Sequence, residues 1–446
     1  MKTNIVKYLL LFLVFFCFTQ AVSADIHEPP ADDSHILTIE KYVQMALDYD
    51  PNLKICQLKL EQAVADIKTS KASFMPKINA STGVNYAYDA KNPSRDNYST
   101  NFNISAKYNI YSAGENPKKY EKSAISLQKA ESNLNIAQEQ IIYKSIKMFN
   151  DMLNLQMNVS IRRNEEVYYQ NLLLLARKRD LKGQEYLRAS VLLTQSEQKL
   201  LTAIQNFDAG KEDFAYLIGK EPSPELKLDT TLAFHERLFS IDKCLKLAFS
   251  RRTDFLQLES AIEKQKKIII YTKKKGTPTL DFSAGYGWFP SPTEMNNAFK
   301  QFYLDRPRIN GGLSASIPIY DGGERANNIK IEETALDILE QEKENLRRDI
   351  TREVRQALSN FESAKSRYIL AGDTVTKTTQ NLNSIFDNYA ESQANLEQVD
   401  QVIGTVTNAG ISKSQAIIDY YNSLADLNKA TGSMFEYYET TIIINK

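Results

Sequence analysis

Chain breakers and reactive side chains are scarce in this sequence. Its 446 residues hold 16 glycines, 13 prolines, three cysteines, three histidines and one tryptophan. Past the N-terminal segment only Cys56 and Cys244 remain, too few for a disulfide framework. His27, His35 and His235 are scattered and form no ligand cluster, so neither a metal nor another cofactor is expected. The helical stretches contain no Glu-x-x-His pair of the kind that builds a di-metal centre in a bundle. No G-x-x-x-x-G-K-[ST] spacing marks a phosphate loop, and no catalytic constellation is visible, so the chain does not read as an enzyme. Charge of one sign is also missing: 55 basic and 55 acidic residues balance. That balance argues against nucleic acid as a partner. Nor does any later segment carry about 18 consecutive apolar residues, which excludes a helical membrane span.

What is present begins with export. Lys2 and Lys7 precede an apolar run at residues 8–18, and Ala21-Val22-Ser23-Ala24 supplies small residues for cleavage. This is the pattern of a signal peptide over residues 1–24, with the mature chain starting at Asp25 and carrying a net charge of −2. The run is short for a transmembrane anchor. Val14-Phe15-Phe16 before Cys17 lacks the small residues of a lipoprotein box.

The mature chain repeats itself. An offset of 202 places Ile39-Glu40-Lys41 on Ile241-Asp242-Lys243, Ala46 on Ala248, Glu61 on Glu263, Pro76 on Pro278 and Gly83 on Gly285. After seven inserted residues the offset is 209, which superposes Asn101 on Asn310, Ile110-Tyr111 on Ile319-Tyr320 and Gly114-Glu115 on Gly323-Glu324. Duplication explains this order. It divides the chain into a first repeat at 25–219, a linker at 220–238, a second repeat at 239–435 and a tail at 436–446.

Each copy holds two stretches of period two. Ile78, Ala80, Thr82, Val84, Tyr86 and Tyr88 share one face, against Asn79, Ser81, Gly83, Asn85 and Asp89. Phe102, Ile104, Ala106, Tyr108 and Ile110 oppose Asn101, Asn103, Ser105, Lys107 and Asn109. The second copy offers Leu280, Phe282, Ala284, Tyr286 and Trp288, then Leu313, Ala315, Ile317 and Ile319. Such alternation fits a soluble sheet over a core or a transmembrane barrel with lipid outside and water inside. In a barrel, Asn79, Asn103, Lys107 and Asp281 line the lumen, and Tyr86, Tyr88, Tyr286 and Trp288 form an aromatic girdle in contact with outer-membrane lipid. One chain supplies four strands, whereas the smallest closed membrane barrels have about eight. An open edge cannot sit in lipid, so a barrel must be shared between chains.

The remainder reads as helix. Residues 115–182 run without glycine and, past the first turn, without proline, and Tyr120, Leu127, Leu134, Ile141, Met148 and Leu155 recur every seventh position as in a coiled coil. Leu336, Leu339, Leu346, Ile350, Val354, Leu358 and Phe361 keep a looser three-to-four spacing in the second copy. Gly183 reverses the first helix, and a half-length helix returns to residue 219, with a helix at 239–275 expected to stack on its end. The strand-to-helix turns contain Gly114 in one copy and Asp321, Gly322 and Gly323 in the other. Glycine there permits positive φ, and Asp321 can cap the helix.

Pro76 and Pro278 opening strands, the two Ile-Tyr-x-x-Gly-Glu turns, and Ala430-Thr431-Gly432 closing the last helix resemble the TolC-like outer-membrane factors over residues 37–435. The resemblance implies a mainly α fold with a membrane β part. In a homotrimer it forms a shared 12-stranded barrel that continues as an α-helical periplasmic tunnel. It implies residence in the outer membrane and service as the passive exit duct of a tripartite efflux pump or type I secretion system. The partners are a periplasmic adaptor and an inner-membrane transporter of RND, ABC or MFS type. The tips that meet the adaptor map to Arg179, Lys182 and Gly183 and to Ser392, where the family carries glycine. The family's acidic entrance pair maps to Gln398 and Gln401, with Glu397 and Asp400 each one residue earlier. A periplasmic coiled-coil scaffold is the rival reading, and it predicts a soluble protein.

Overall fold

A computed structural model describes residues 36–88, 97–179, 183–224, 226–229, 234, 236–288 and 308–438. The expectations placed on residues 1–24, the end of the tail, Asp89, Lys182 and the three histidines lie outside these.

The element order runs twice. Helices α1 (Ile39–Tyr49) and α2 (Pro51–Ala72) lead into strands β2 (Lys77–Ala87) and β3 (Asn97–Tyr111), then α3 (Glu115–Arg179) and α4 (Gln184–Leu217). The second series is α5 (Ile241–Arg251), α6 (Thr253–Lys273), β5 (Thr279–Trp288), β6 (Arg308–Ser316), α7 (Glu324–Ala390) and α8 (Leu396–Ala430), closed by the short α9 (Met434–Tyr437). Two-residue strands β1 (Ile36–Leu37) and β4 (Lys227–Leu228) pair in parallel between the start of one series and the linker. No described helix is long and apolar enough to cross a membrane.

The helices α3 and α7 have 65 and 67 residues, roughly 100 Å at 1.5 Å per residue. Pro117 stands in the first turn of α3, where its missing N–H costs no internal bond. The heptad leucines of α3 are half-buried, and the fully buried stripe is Ile142, Ile146, Phe149 and Leu153, one position over. The reason is that α3 packs on two sides at once, against α1, α2 and α4 and against α6 and α8.

The stacking of short helices differs from expectation. The end of α4 meets α1, not α5: a Cβ on Gly219 would lie 2.1 Å from the Tyr49 ring. Tyr42 stacks on Phe214 at 3.9 Å and donates to its carbonyl at 2.9 Å. The α5–α6 corner instead abuts the end of α8, where Arg252 lies against Gly432. The linker sits against α3, where Gln156 both donates to and accepts from the Leu228 backbone, and Lys365 of α7 pairs with Glu236 at 2.6 Å.

The four long strands form one antiparallel sheet in the order β2-β3-β5-β6. Ile317 and Ile319 lie outside it, because β6 ends at Ser316 while the equivalent β3 continues to Tyr111. β3 is paired on both sides; β6 is paired on one.

Candidate functional site

Register decides the sheet's two faces. Asn79 is opposite Ser105, Ser81 opposite Asn103, Lys107 opposite Ser283, and Asp281 opposite both Asn109 and Ser314. Directly opposed residues share a face, so Asn79, Asn103, Lys107 and Asp281 come together on one polar surface. There the Asn109 amide donates to Asp281 at 2.7 Å. The other face is apolar across all four strands, through Thr82–Phe102–Trp288, Ile104–Tyr286–Ile309 and Tyr108–Phe282–Leu313. Trp288 packs against Tyr286 at 5.0 Å and Phe102 at 5.9 Å. Tyr86 shares this face, and Tyr88 follows the end of β2. Ile78, Val84, Ile309 and Leu313 are exposed. One polar and one uncovered apolar face suit a wall between water and lipid.

The strand-to-helix turns carry positive φ at Ala113, Gly114, Gly322 and Gly323. At Gly114 (φ 89°) a Cβ would lie 2.3 Å from the Tyr271 carbonyl oxygen, so glycine is required there by contact as well as by conformation. Asp321 accepts from the Gly323 and Arg325 amides at 3.0 and 3.2 Å, which holds its carboxyl below the usual range. Ser112 does the same work in the first copy, accepting from Asn116 at 3.0 Å.

At the far end, the hairpins α3–α4 and α7–α8 share a core of Tyr169, Leu172, Ala176, Ala189, Leu382, Tyr389, Leu396, Val399 and Ile403. Arg179 is the last residue of α3, and Gly183 caps α4 from an extended conformation (φ −84°, ψ 177°), so the first turn makes no demand for positive φ at this glycine. Ser392 has φ 63°. Its amide donates to Tyr389 O and the Gln393 amide to Asn388 O, the two bonds of a Schellman cap with serine in the glycine position. Asn395 and Gln398 form a reciprocal capping box, so Gln398 is engaged in starting α8. Glu397 and Gln401 are exposed, and Asp400 is half-buried.

The Asp400 carboxylate accepts a 2.7 Å hydrogen bond from the Tyr169 hydroxyl, and Tyr389 donates to Glu185 at 3.2 Å. Burial first, and then Asp400, keeps the Tyr169 phenol protonated above the usual tyrosine range. These two ties join one hairpin to the other, and neither tyrosine was singled out from the sequence. Continuing the heptad series from Leu155 past Arg162 reaches Tyr169 and Ala176, so the signal was there. Gly432, which follows the last helix, lies four residues past the position that the offset of 209 assigns to Gly219. Three of these four extra residues precede Asn395, the N-cap of α8, so they lengthen the tip rather than the helix that holds Gly404 and Gly410.

The chain belongs to the outer membrane efflux protein family, whose model matches residues 42–214 and 244–433. No protein of curated function matches it. Solved structures share the fold. The Campylobacter jejuni CmeC outer membrane channel is 17% identical, with a TM-score of 0.73 over 89% of this chain and 85% of its own. The Vibrio cholerae outer membrane protein VceC is 15% identical, with a TM-score of 0.73 over 88% and 96%. The open state of the Neisseria gonorrhoeae MtrE outer membrane channel is 17% identical, with a TM-score of 0.73 over 88% of each chain.

Proposed function

We propose that this chain is one subunit of a homotrimeric outer-membrane channel, the passive exit duct of a tripartite efflux pump or type I secretion system. The observation that carries the reading is the two-faced four-stranded sheet whose outer strands, β2 and β6, are each paired on one side only among the described residues. Four strands close nothing alone; three copies supply twelve, with the polar face inward. The CmeC and MtrE structures are those of outer membrane channels, which supports the same architecture here. Residues 1–24 direct export, the helices extend into the periplasm, and the linker straps the middle of the shaft.

The tips around Arg179, Lys182, Gly183 and Ser392 receive a periplasmic adaptor, which couples the duct to an inner-membrane transporter of RND, ABC or MFS type. Opening is a two-state loosening of α7–α8 from α3–α4, with the Tyr169–Asp400 and Tyr389–Glu185 bonds holding the closed state. Purification from outer membranes in detergent, followed by mass determination and conductance in planar bilayers, tests the channel. A soluble monomer recovered from the periplasm overturns it in favour of a scaffold. Photocrosslinkers at Gly183 and Ser392 test docking separately: the expected product is a periplasmic adaptor, and failure at both tips removes that assignment alone.

A further inference from the structure

Resting on the shared-barrel reading above, we infer the strand register of the seam between copies: β6 of one chain pairs with β2 of the next, Leu313 opposite Val84. The argument uses the repeat inside the sheet. The hairpin β2–β3 sets Lys77 opposite Lys107, and β5–β6 sets Thr279 opposite Ser316. Those pairs are equivalents at the two offsets found in the sequence, so the two hairpins are built in the same register. Even their packing devices match: Gly83 faces the side chain of Asn101, and Gly285 faces that of Asn310.

Between the hairpins lies an internal seam, β3 against β5, running from Phe102–Trp288 to Asn109–Asp281 with an irregularity between Asn109 and Tyr111. Carrying that seam forward by one repeat pairs β6 with β2 of a second copy. Leu313 then meets Val84, Ala315 meets Thr82 and Ile317 meets Ala80 on the apolar face. Gly312 meets Asn85 and Ser316 meets Ser81 on the polar face. The faces agree at every position, which a slip of one residue would reverse.

Exposure supports a second copy as the occupant. Leu313 is 66% exposed, whereas its internal-seam equivalent Ile104 is 39%. Ile319 and Tyr320 are 98% and 90% exposed, against 46% and 42% for Ile110 and Tyr111. The seam also accounts for the early end of β6. Residues 317–320 gain their ladder from the neighbouring β2, and they extend as strand when it docks. Pro318, which has no N–H to give, falls at the position of Asn109, where the internal seam is already irregular.

The test uses full-length protein assembled in outer membranes, with cysteine pairs oxidised in place. Within one chain the two edges are three strand spacings apart, about 14 Å, beyond the reach of a disulfide. L313C/V84C and G312C/N85C, which sample both kinds of opposed pair, are expected to yield covalent dimers and a closed covalent trimer. They should give at least ~10-fold more product than the slipped pairs L313C/T82C and L313C/Y86C. The amides of Ile317 and Tyr320, on either side of the carried-over irregularity, should be protected from hydrogen exchange in the assembly. Product peaking at a slipped pair in an intact trimer overturns this register and leaves the shared barrel standing. Absence of chain-to-chain product from every pair, with no trimer in detergent, removes both.

Discussion

The Tyr169 hydroxyl on α3 reaches the Asp400 carboxylate on α8 at 2.7 Å, so the first hairpin is tied to the second at the end of the molecule farthest from the strands. A hydrogen bond to a charged acceptor is worth about 2 kcal/mol. Tyr169→Phe therefore shifts an opening equilibrium by about 30-fold per chain toward the loosened state. The expected result is a longer-lived high-conductance state in planar bilayers. Unchanged conductance would remove the tie from the gating proposal.

Ser392 holds φ 63° in a cap that favours glycine. Ser392→Gly should stabilise the tip by about 1 kcal/mol and slow hydrogen exchange across residues 388–399 by about five-fold. A β-branched Ser392→Val should do the reverse.

Gly114 and Gly323 share a φ of 89°, yet their surroundings differ. Gly114→Ala drives a methyl into the Tyr271 carbonyl and should cost at least ~3 kcal/mol, seen as loss of assembled protein. Gly323→Ala has nothing within 4 Å and should cost only the conformational ~1 kcal/mol. Equal thermal shifts for the two variants would contradict the contact argument.

Stability should fall at both ends of the pH scale, for different groups. Burial raises the phenols of Tyr42, Tyr169 and Tyr437, so their contribution is complete below the unfolded tyrosine value near ~10 and is lost as pH rises beyond it. Glu332 is driven up by burial, but hydrogen bonds from Gln265, Lys118 and Lys122 outweigh this and depress its pKa. Its contribution is present above the unfolded glutamate range and is lost as pH falls through its lowered value. Thermal melting in detergent from pH 3 to ~11 checks both limbs, and Glu332→Gln should flatten only the acid one.

Much of this architecture was legible locally. Period two along residues 77–88 and 101–110, heptads through α3, and the matched offsets of 202 and 209 specify strands, long helices and their duplication. These are near-neighbour properties: a side chain's face follows from its position in the element. The strand deficit could also be counted without coordinates.

The rest depended on which distant segments meet. No spacing in the sequence says that α4 ends on Tyr49 and α8 on Arg252. The same holds for the Tyr169 hydroxyl and Asp400, which lie 231 residues apart. Nor could alternation alone show that β6 stops at Ser316, because Ile317 and Ile319 continue the pattern and lack only a partner strand. Sequence determined which residues share the apolar face of each strand and which share the polar one. Tertiary structure decided the pairings, because hydrogen bonds and packing depend on distances the chain order does not carry.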